Sequence, residues 1–199
     1  MARFIVLEGG EGAGKSTQAS LLAASLSAVL TREPGGTAVG EALRRLVLDN
    51  SSGHLVDRAE TLLMLAARAQ HVAEVIEPAL ARGQDVVCDR YSGSTFAYQG
   101  FGRGLPMGDL LCLDEWASGG RRPDVVILLD LAVADGRRRR PCGPRDRFEH
   151  EEDEFLERVR AGFNELAAAD PVRWRVVDAA TSIEDVAAAV LRAVGDVAP

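Results

Sequence analysis

The chain has 199 residues and a formal net charge of −7, with 47% hydrophobic and 27% charged residues. That size carries one α/β domain with a full core and is short for two, and the mixture excludes a disordered or low-complexity chain. The acidic balance argues against a general nucleic-acid surface, and no stretch reads as a signal peptide or a membrane span.

Residues 4–7 (Phe-Ile-Val-Leu) are a short continuous apolar run, the pattern of a parallel strand buried on both faces. Residues 15–28 place Leu21, Leu22 and Leu26 at helical spacing. Val29-Leu30 then leaves only a stub of second strand before the turn-rich Arg32-Glu33-Pro34-Gly35-Gly36-Thr37. Helices are predicted over 39–48 and over 57–81, the second stopped by Arg82-Gly83 in the manner of a C-cap. Residues 85–88 read as a third strand running straight into Asp89, Arg90 and Tyr91. A helix over 109–117 precedes the clearest strand, 124–130 (Asp-Val-Val-Ile-Leu-Leu-Asp). Residues 137–147 form an arginine-rich segment that Pro141, Gly143 and Pro144 make a loop, followed by an acidic helix to about residue 169. A strand over 174–177 and an amphipathic helix over 183–194 close the chain. Short apolar strands alternating with helices specify a central parallel sheet flanked by helices, in a single domain spanning 1–199. Cys88, Cys112 and Cys142 are odd in number and contain no C-x-x-C pair, so they read as packing residues in a reducing cytoplasm.

The first strand leads into Gly9-Gly10-Glu11-Gly12-Ala13-Gly14-Lys15-Ser16-Thr17, which is the G-x-x-x-x-G-K-[ST] phosphate loop. Its glycines let backbone N–H groups approach a phosphate chain, and the helix that starts here aims its positive dipole end at the same anion. Lys15 reaches the β- and γ-phosphates, and the Ser16 hydroxyl is a Mg²⁺ ligand. The expectation is a bound nucleoside triphosphate.

Several phosphate-loop classes share that motif. A GTPase needs an Asn-Lys-x-Asp guanine reader, and none occurs; a motor or remodelling ATPase usually ends an apolar strand in Asp-Glu, whereas here the ends are Asp89-Arg90 and Asp130-Leu131. Asp89 is placed to hold a metal's water shell, and Arg90 puts a cation where a second phosphate sits. Arg137, Arg138, Arg139, Arg140, Arg145 and Arg147 form a second cationic cluster in an acidic chain. A lid of this kind, about residues 137–149, supplies charge to a transferring phosphoryl group and keeps water from competing as acceptor. No aromatic residue interleaves the arginines of residues 137–147, which argues against a nucleic-acid patch.

Taken together these motifs resemble thymidylate kinases, which form dTDP from dTMP. The resemblance rests on residues 8–17, on Thr31-Arg32-Glu33-Pro34-Gly35-Gly36-Thr37, on Ala66-Ala67-Arg68-Ala69-Gln70-His71, on residues 89–104 and on Arg122-Pro123-Asp124, in family order over nearly the whole chain. It implies a P-loop NTPase fold of the nucleoside monophosphate kinase type, with ATP and Mg²⁺, and no nucleic-acid or membrane partner. It implies that Glu11 accepts from the 3′-hydroxyl of dTMP, that Arg90 binds its phosphate and that Arg68 reaches the thymine O4. Thr95 would meet the polar edge of the base, Tyr98 would fill the space of a ribose 2′-hydroxyl, and Pro34, Met64 and Gln99 would complete the acceptor pocket. Lys15, Arg90, Arg140, Arg145 and Arg147 would be the catalytic cations, and Ser16 and Asp89 the metal ligands. Gly12 stands where one branch of the family carries an arginine, so the chain resembles the bacterial branch with arginines in the lid. A homodimer is implied as well, with the apolar helix around residues 62–75 as its candidate interface.

The sequence departs from the family at three places. Met64 stands where an aromatic ring usually covers the thymine, Lys15 to Arg32 is shorter than usual, and the lid is about a residue shorter. A kinase for another pyrimidine monophosphate such as dUMP, and a nucleotide-dependent switch protein without kinase activity, are the alternative readings.

Overall fold

The structure is a computed structural model that describes residues 2–139 and 147–195. Strands β1 (Phe4–Glu8), β2 (Val29–Arg32), β3 (Val86–Asp89), β4 (Val125–Asp130) and β5 (Trp174–Asp178) lie in the order β2-β3-β1-β4-β5, and each neighbouring pair is parallel. Pleating sends Ile5 and Leu7 to one face of β1 and Phe4 and Val6 to the other. The first pair packs with Val87, Ile127 and Leu129 against α1 (Lys15–Leu26) and α9 (Ile183–Gly195). The second pair packs with Val86, Cys88 and Tyr91 against Ile76 and Ala79. Because both faces are covered, the inner strands read as unbroken apolar runs.

The remaining helices are α2 (Ala38–Leu48), α3 (Asp57–His71), α4 (Glu77–Ala81), α5 (Ser92–Thr95), α6 (Met107–Ser118), α7 (Val133–Arg139) and α8 (Asp153–Ala169). A π-helical turn, Val72–Ile76, joins α3 to α4 just ahead of Pro78, which has no N–H to return to the preceding turn. The helix expected over 57–81 is therefore continuous, and it ends where Gly83 takes φ +76°.

Two expectations are corrected, and one helix is found for which the sequence offered no reading. The second strand is no stub: β2 runs through Arg32 and pairs with β3 along its whole length, from Val29 opposite Val86 to Arg32 opposite Asp89. The ladder offered by β3 extends it past the point where turn residues begin. Residues 92–102 are helical, α5 passing into a second π-helical turn, Phe96–Gly102, although their Gly, Ser and Thr content carries no helical periodicity. Arg137, Arg138 and Arg139 belong to α7 rather than a loop, because Pro141, Gly143 and Pro144 all follow it. Arg140 and Arg145 lie outside the described residues, as do Cys142 and most of the expected lid.

Candidate active site

The carboxyl ends of β1 and β3 open onto one cleft, the usual place for a ligand in an open parallel sheet. Glu11, Lys15, Ser16, Pro34, Met64, Arg68, Asp89, Arg90, Thr95, Tyr98 and Gln99 all line it, so residues spread over 89 positions of sequence meet in one place. Gly9, Gly10, Gly12, Ala13 and Gly14 make the turn from β1 into α1, and Thr17 lies in the first turn of that helix. No side chain caps the N-terminus of α1 and no acidic residue stands in its first turn. Its leading N–H groups and positive dipole end are thus available to an anion.

Lys15 folds back so that Nζ donates to the Gly10 carbonyl at 2.7 Å. Burial lowers its pKa to about 8, and the charge of Arg90 pushes the same way. The Ser16 hydroxyl donates to one carboxylate oxygen of Asp89, while the other, Oδ1, is buried without a partner among the described residues. One carboxylate with an unused oxygen beside one hydroxyl is the sparse donor set of Mg²⁺, which takes its remaining ligands from water and phosphate. No cluster of three or more His, Cys, Asp or Glu side chains with metal-site spacing exists among the described residues, in keeping with that kind of site.

Arg90 sits at the centre in the left-handed region, at φ +71°. Its guanidinium donates to the Gly9 carbonyl at 3.1 Å, to Ser94 Oγ at 3.0 Å and to Glu11 Oε1 at 2.6 Å, and it lies over the Tyr98 ring. Burial works against that charge, but Tyr98, Glu11, Asp89 and Glu8 hold the guanidinium above its ordinary pKa. The Tyr98 hydroxyl donates to the same Glu11 oxygen at 3.1 Å, and burial raises its pKa.

Arg68 reaches the cleft from α3 and is 3% exposed. Its Nε donates to Glu33 at 2.8 Å, and its Nη1 to Asp114 at 2.6 Å and to Thr95 at 3.1 Å. Burial opposes its charge, yet the two carboxylates leave it above the ordinary arginine value. Gln99 donates to Glu60 at 2.9 Å, and Met64 packs at the edge of the cluster that holds Tyr98, Phe148 and Phe155.

The described lid arginines are dispersed. Arg139 donates to the carbonyls of Ala179 and Ala180, and Arg137 to that of Glu151. Arg147 is drawn to the C-terminal end of α2, donating to the carbonyls of Val47 at 3.0 Å, Asp49 at 3.3 Å and Gly53 at 2.8 Å. It does not line the cleft; its neighbour Phe148 does, edge-on to Tyr98.

Several residues that build or support the cleft receive no role from the sequence. Glu8 is fully buried at the end of β1, where it accepts from the Tyr91 and Ser94 amides and the Ser94 hydroxyl. Asp114 and Phe148 reach the site only through the packing of α6 and of the end of the lid. Glu33 and Arg44, which donates to the Pro34 carbonyl, sit within or beside a family motif that by itself assigns them no part.

Residues 7–190 match the family model described as thymidylate kinase. A thymidylate kinase of Solidesulfovibrio magneticus is 51% identical, covering 96% of this chain and 98% of the relative, and one of Roseiflexus sp. (strain RS-1) is 48% identical, covering 94% and 91%. The crystal structure of thymidylate kinase from Ehrlichia chaffeensis superposes with a TM-score of 0.82 at 32% identity, covering 98% of each chain.

Proposed function

The chain belongs to the thymidylate kinase family, and we propose how its cleft carries that reaction, the transfer of the γ-phosphoryl group of ATP to dTMP giving ADP and dTDP. The observation that carries the reading is Arg90, which stands between the phosphate loop and the side chains of the acceptor half, touching Gly9 and Glu11 on one side and Ser94 and Tyr98 on the other. A cation there neutralises the acceptor phosphate while facing the transferring group. The acceptor phosphate is ionised at neutral pH, so no general base is needed.

Lys15 and the α1 N-terminus bind the donor phosphates, and Lys15 and Arg90 stabilise charge spread over the transferring oxygens. Ser16 and Asp89 hold Mg²⁺, which when bound neutralises donor-phosphate charge. Arg68 offers a donor to the thymine O4, Thr95 meets the polar edge, and Met64 covers the base face. Pro34 and Gln99 close the pocket. Glu11 accepts from the 3′-hydroxyl, and Tyr98 occupies the place of a 2′-hydroxyl. Arg140, Arg145 and Arg147 supply the remaining lid charge, and Arg147 also tethers the end of the lid to α2.

We further propose a single catalytic domain, a cytoplasmic setting and a homodimer. Leu62 on α3 and Leu111, Leu113 and Trp116 on α6 are exposed, Trp116 at 84%, which supports pairing of that face with a second copy. Among the described residues, no helix is long and apolar enough to cross a membrane.

A coupled assay with dTMP, dUMP, dCMP and UMP tests the acceptor site as a whole. The expected order places dTMP first and dUMP second, with dCMP and UMP poor. A preference for UMP over dUMP overturns the part given to Tyr98, and equal use of dCMP and dTMP overturns that given to Arg68.

A further inference from the structure

Arg68 does not hold its orientation alone. Glu33 places one carboxylate oxygen on Arg68 Nε at 2.8 Å and the other 2.9 Å from His71 Nδ1, so a single buried carboxylate bridges two residues of the same helix face. His71 is 0% exposed and is the last residue of α3. Its other nitrogen, Nε2, lies 2.6 Å from Thr31 Oγ1 on β2. A carboxylate oxygen accepts, so Nδ1 donates to Glu33, while Nε2 shares a hydrogen bond with the Thr31 hydroxyl. The ring also seats the loop that bears Glu33 and Pro34: a Cβ on Gly36 would stand 2.7 Å from His71 Cδ2. This histidine does not itself line the cleft.

We infer that His71 is a positioning residue for the acceptor base, setting Glu33 and, through it, the direction in which Arg68 presents its remaining N–H groups to the cleft. This rests on the reading of Arg68 as the donor to the 4-oxo group of the pyrimidine. Without a donor at the Nδ1 position, one oxygen of a buried carboxylate loses its partner. Glu33 then turns toward Arg68, and the guanidinium follows. The consequence falls on base binding and on discrimination between a 4-oxo and a 4-amino pyrimidine, because a cytosine amino group donates where thymine accepts.

Two near-isosteric variants separate positioning from mere support. The amide nitrogen of His71→Asn overlays Nδ1 and keeps the donor to Glu33, whereas that of His71→Gln overlays Nε2 and leaves Glu33 without it. The expected result is a dTMP KM within about threefold of the parent for His71→Asn and a rise of about tenfold for His71→Gln, the size of one lost hydrogen bond to a charged group. The KM for ATP stays unchanged in both, and the ratio of dTMP to dCMP use falls only in His71→Gln. KM and the ratio do not depend on the fraction of folded protein, so reduced yield does not blur the reading. Thr31→Val, which removes only the Nε2 partner, carries the same test where the histidine variants do not accumulate: a dTMP KM raised about threefold supports the proposal, and an unchanged one overturns it. Equal KM values in His71→Asn and His71→Gln also overturn it. Arg68→Lys distinguishes the underlying reading: if it leaves the dTMP KM and the ratio unchanged, the part given to Arg68 itself fails.

Discussion

Ser16 Oγ donates to Asp89 Oδ2 at 2.5 Å, joining the first turn of α1 to the last residue of β3. The phosphate loop and the strand end, separated by 73 positions, thereby present one hydroxyl and one unused carboxylate oxygen to the same space.

Asp89→Asn keeps that shape and removes the charge. The expected outcome is a higher free Mg²⁺ requirement and a turnover reduced by about 100-fold, while chelation of the metal silences the parent enzyme. Initial rates titrated against free Mg²⁺ check this. A parental titration curve in the variant would show that Asp89 holds no metal.

Arg90→Ala is expected to lower kcat by about 10² to 10³ with the ATP KM near the parental value, the scale seen when one preorganised charge donor is removed. Arg90→Lys does not restore it, because a single ammonium cannot reach Gly9, Ser94 and Glu11 together. Steady-state kinetics with both substrates varied decides the matter; near-parental turnover in Arg90→Ala removes this residue from catalysis.

Glu8 gives a dependence of stability on pH. Burial pushes its carboxyl up to about 7 from an ordinary 4.5, against the pull of Ser94, Arg90 and the Tyr91 amide. The folded protein therefore holds this proton more tightly than the unfolded chain does. Its stabilising contribution is whole below about pH 4.5 and is lost as pH rises through about 7, a change on the order of 3 kcal/mol. Glu8→Gln is expected to remove that slope, leaving the difference between parent and variant to grow across this window and then level off. Urea unfolding at half-unit pH steps reads it, and parallel curves would count against the shift.

Gly12 and Gly14 make a paired test of the phosphate loop. Gly14 takes φ +88°, and a Cβ added there would have nothing within 4 Å, so Gly14→Ala meets only backbone strain, about 1 kcal/mol. Gly12 takes φ +73°, and a Cβ there would collide with the Gly136 carbonyl oxygen on α7. Gly12→Ala must push α7 away and is expected to cost about 3 kcal/mol. Equal midpoints in denaturant for the two variants would refute the close packing of α7 on the loop.

Much of the site is legible in the sequence because its chemistry is local. The spacing of Gly9, Gly14, Lys15 and Ser16 names a phosphate loop by itself, and an apolar strand ending in Asp89-Arg90 announces two charges at a strand end. Arg68, Thr95 and Tyr98 come from motif resemblance, and all three line the cleft. The limits are equally physical. Val29-Leu30 reads as a stub because a strand's length depends on the partner ladder of β3, which no local pattern encodes. The helix through residues 92–102 escapes a reading by periodicity because most of its residues are buried, so it shows no amphipathic period.

By itself, then, the sequence determined what depends on neighbours along the chain: the alternation of strands and helices, the phosphate loop, and the charged residues at the strand ends. The tertiary structure decided what depends on neighbours across it. Only folding brings Glu33, Thr95 and Asp114 from three elements around Arg68, and only the loss of water makes Glu8 hold its proton toward neutrality. Hydrogen-bond partners and desolvation are properties of distance in space, and a linear order of residues carries neither.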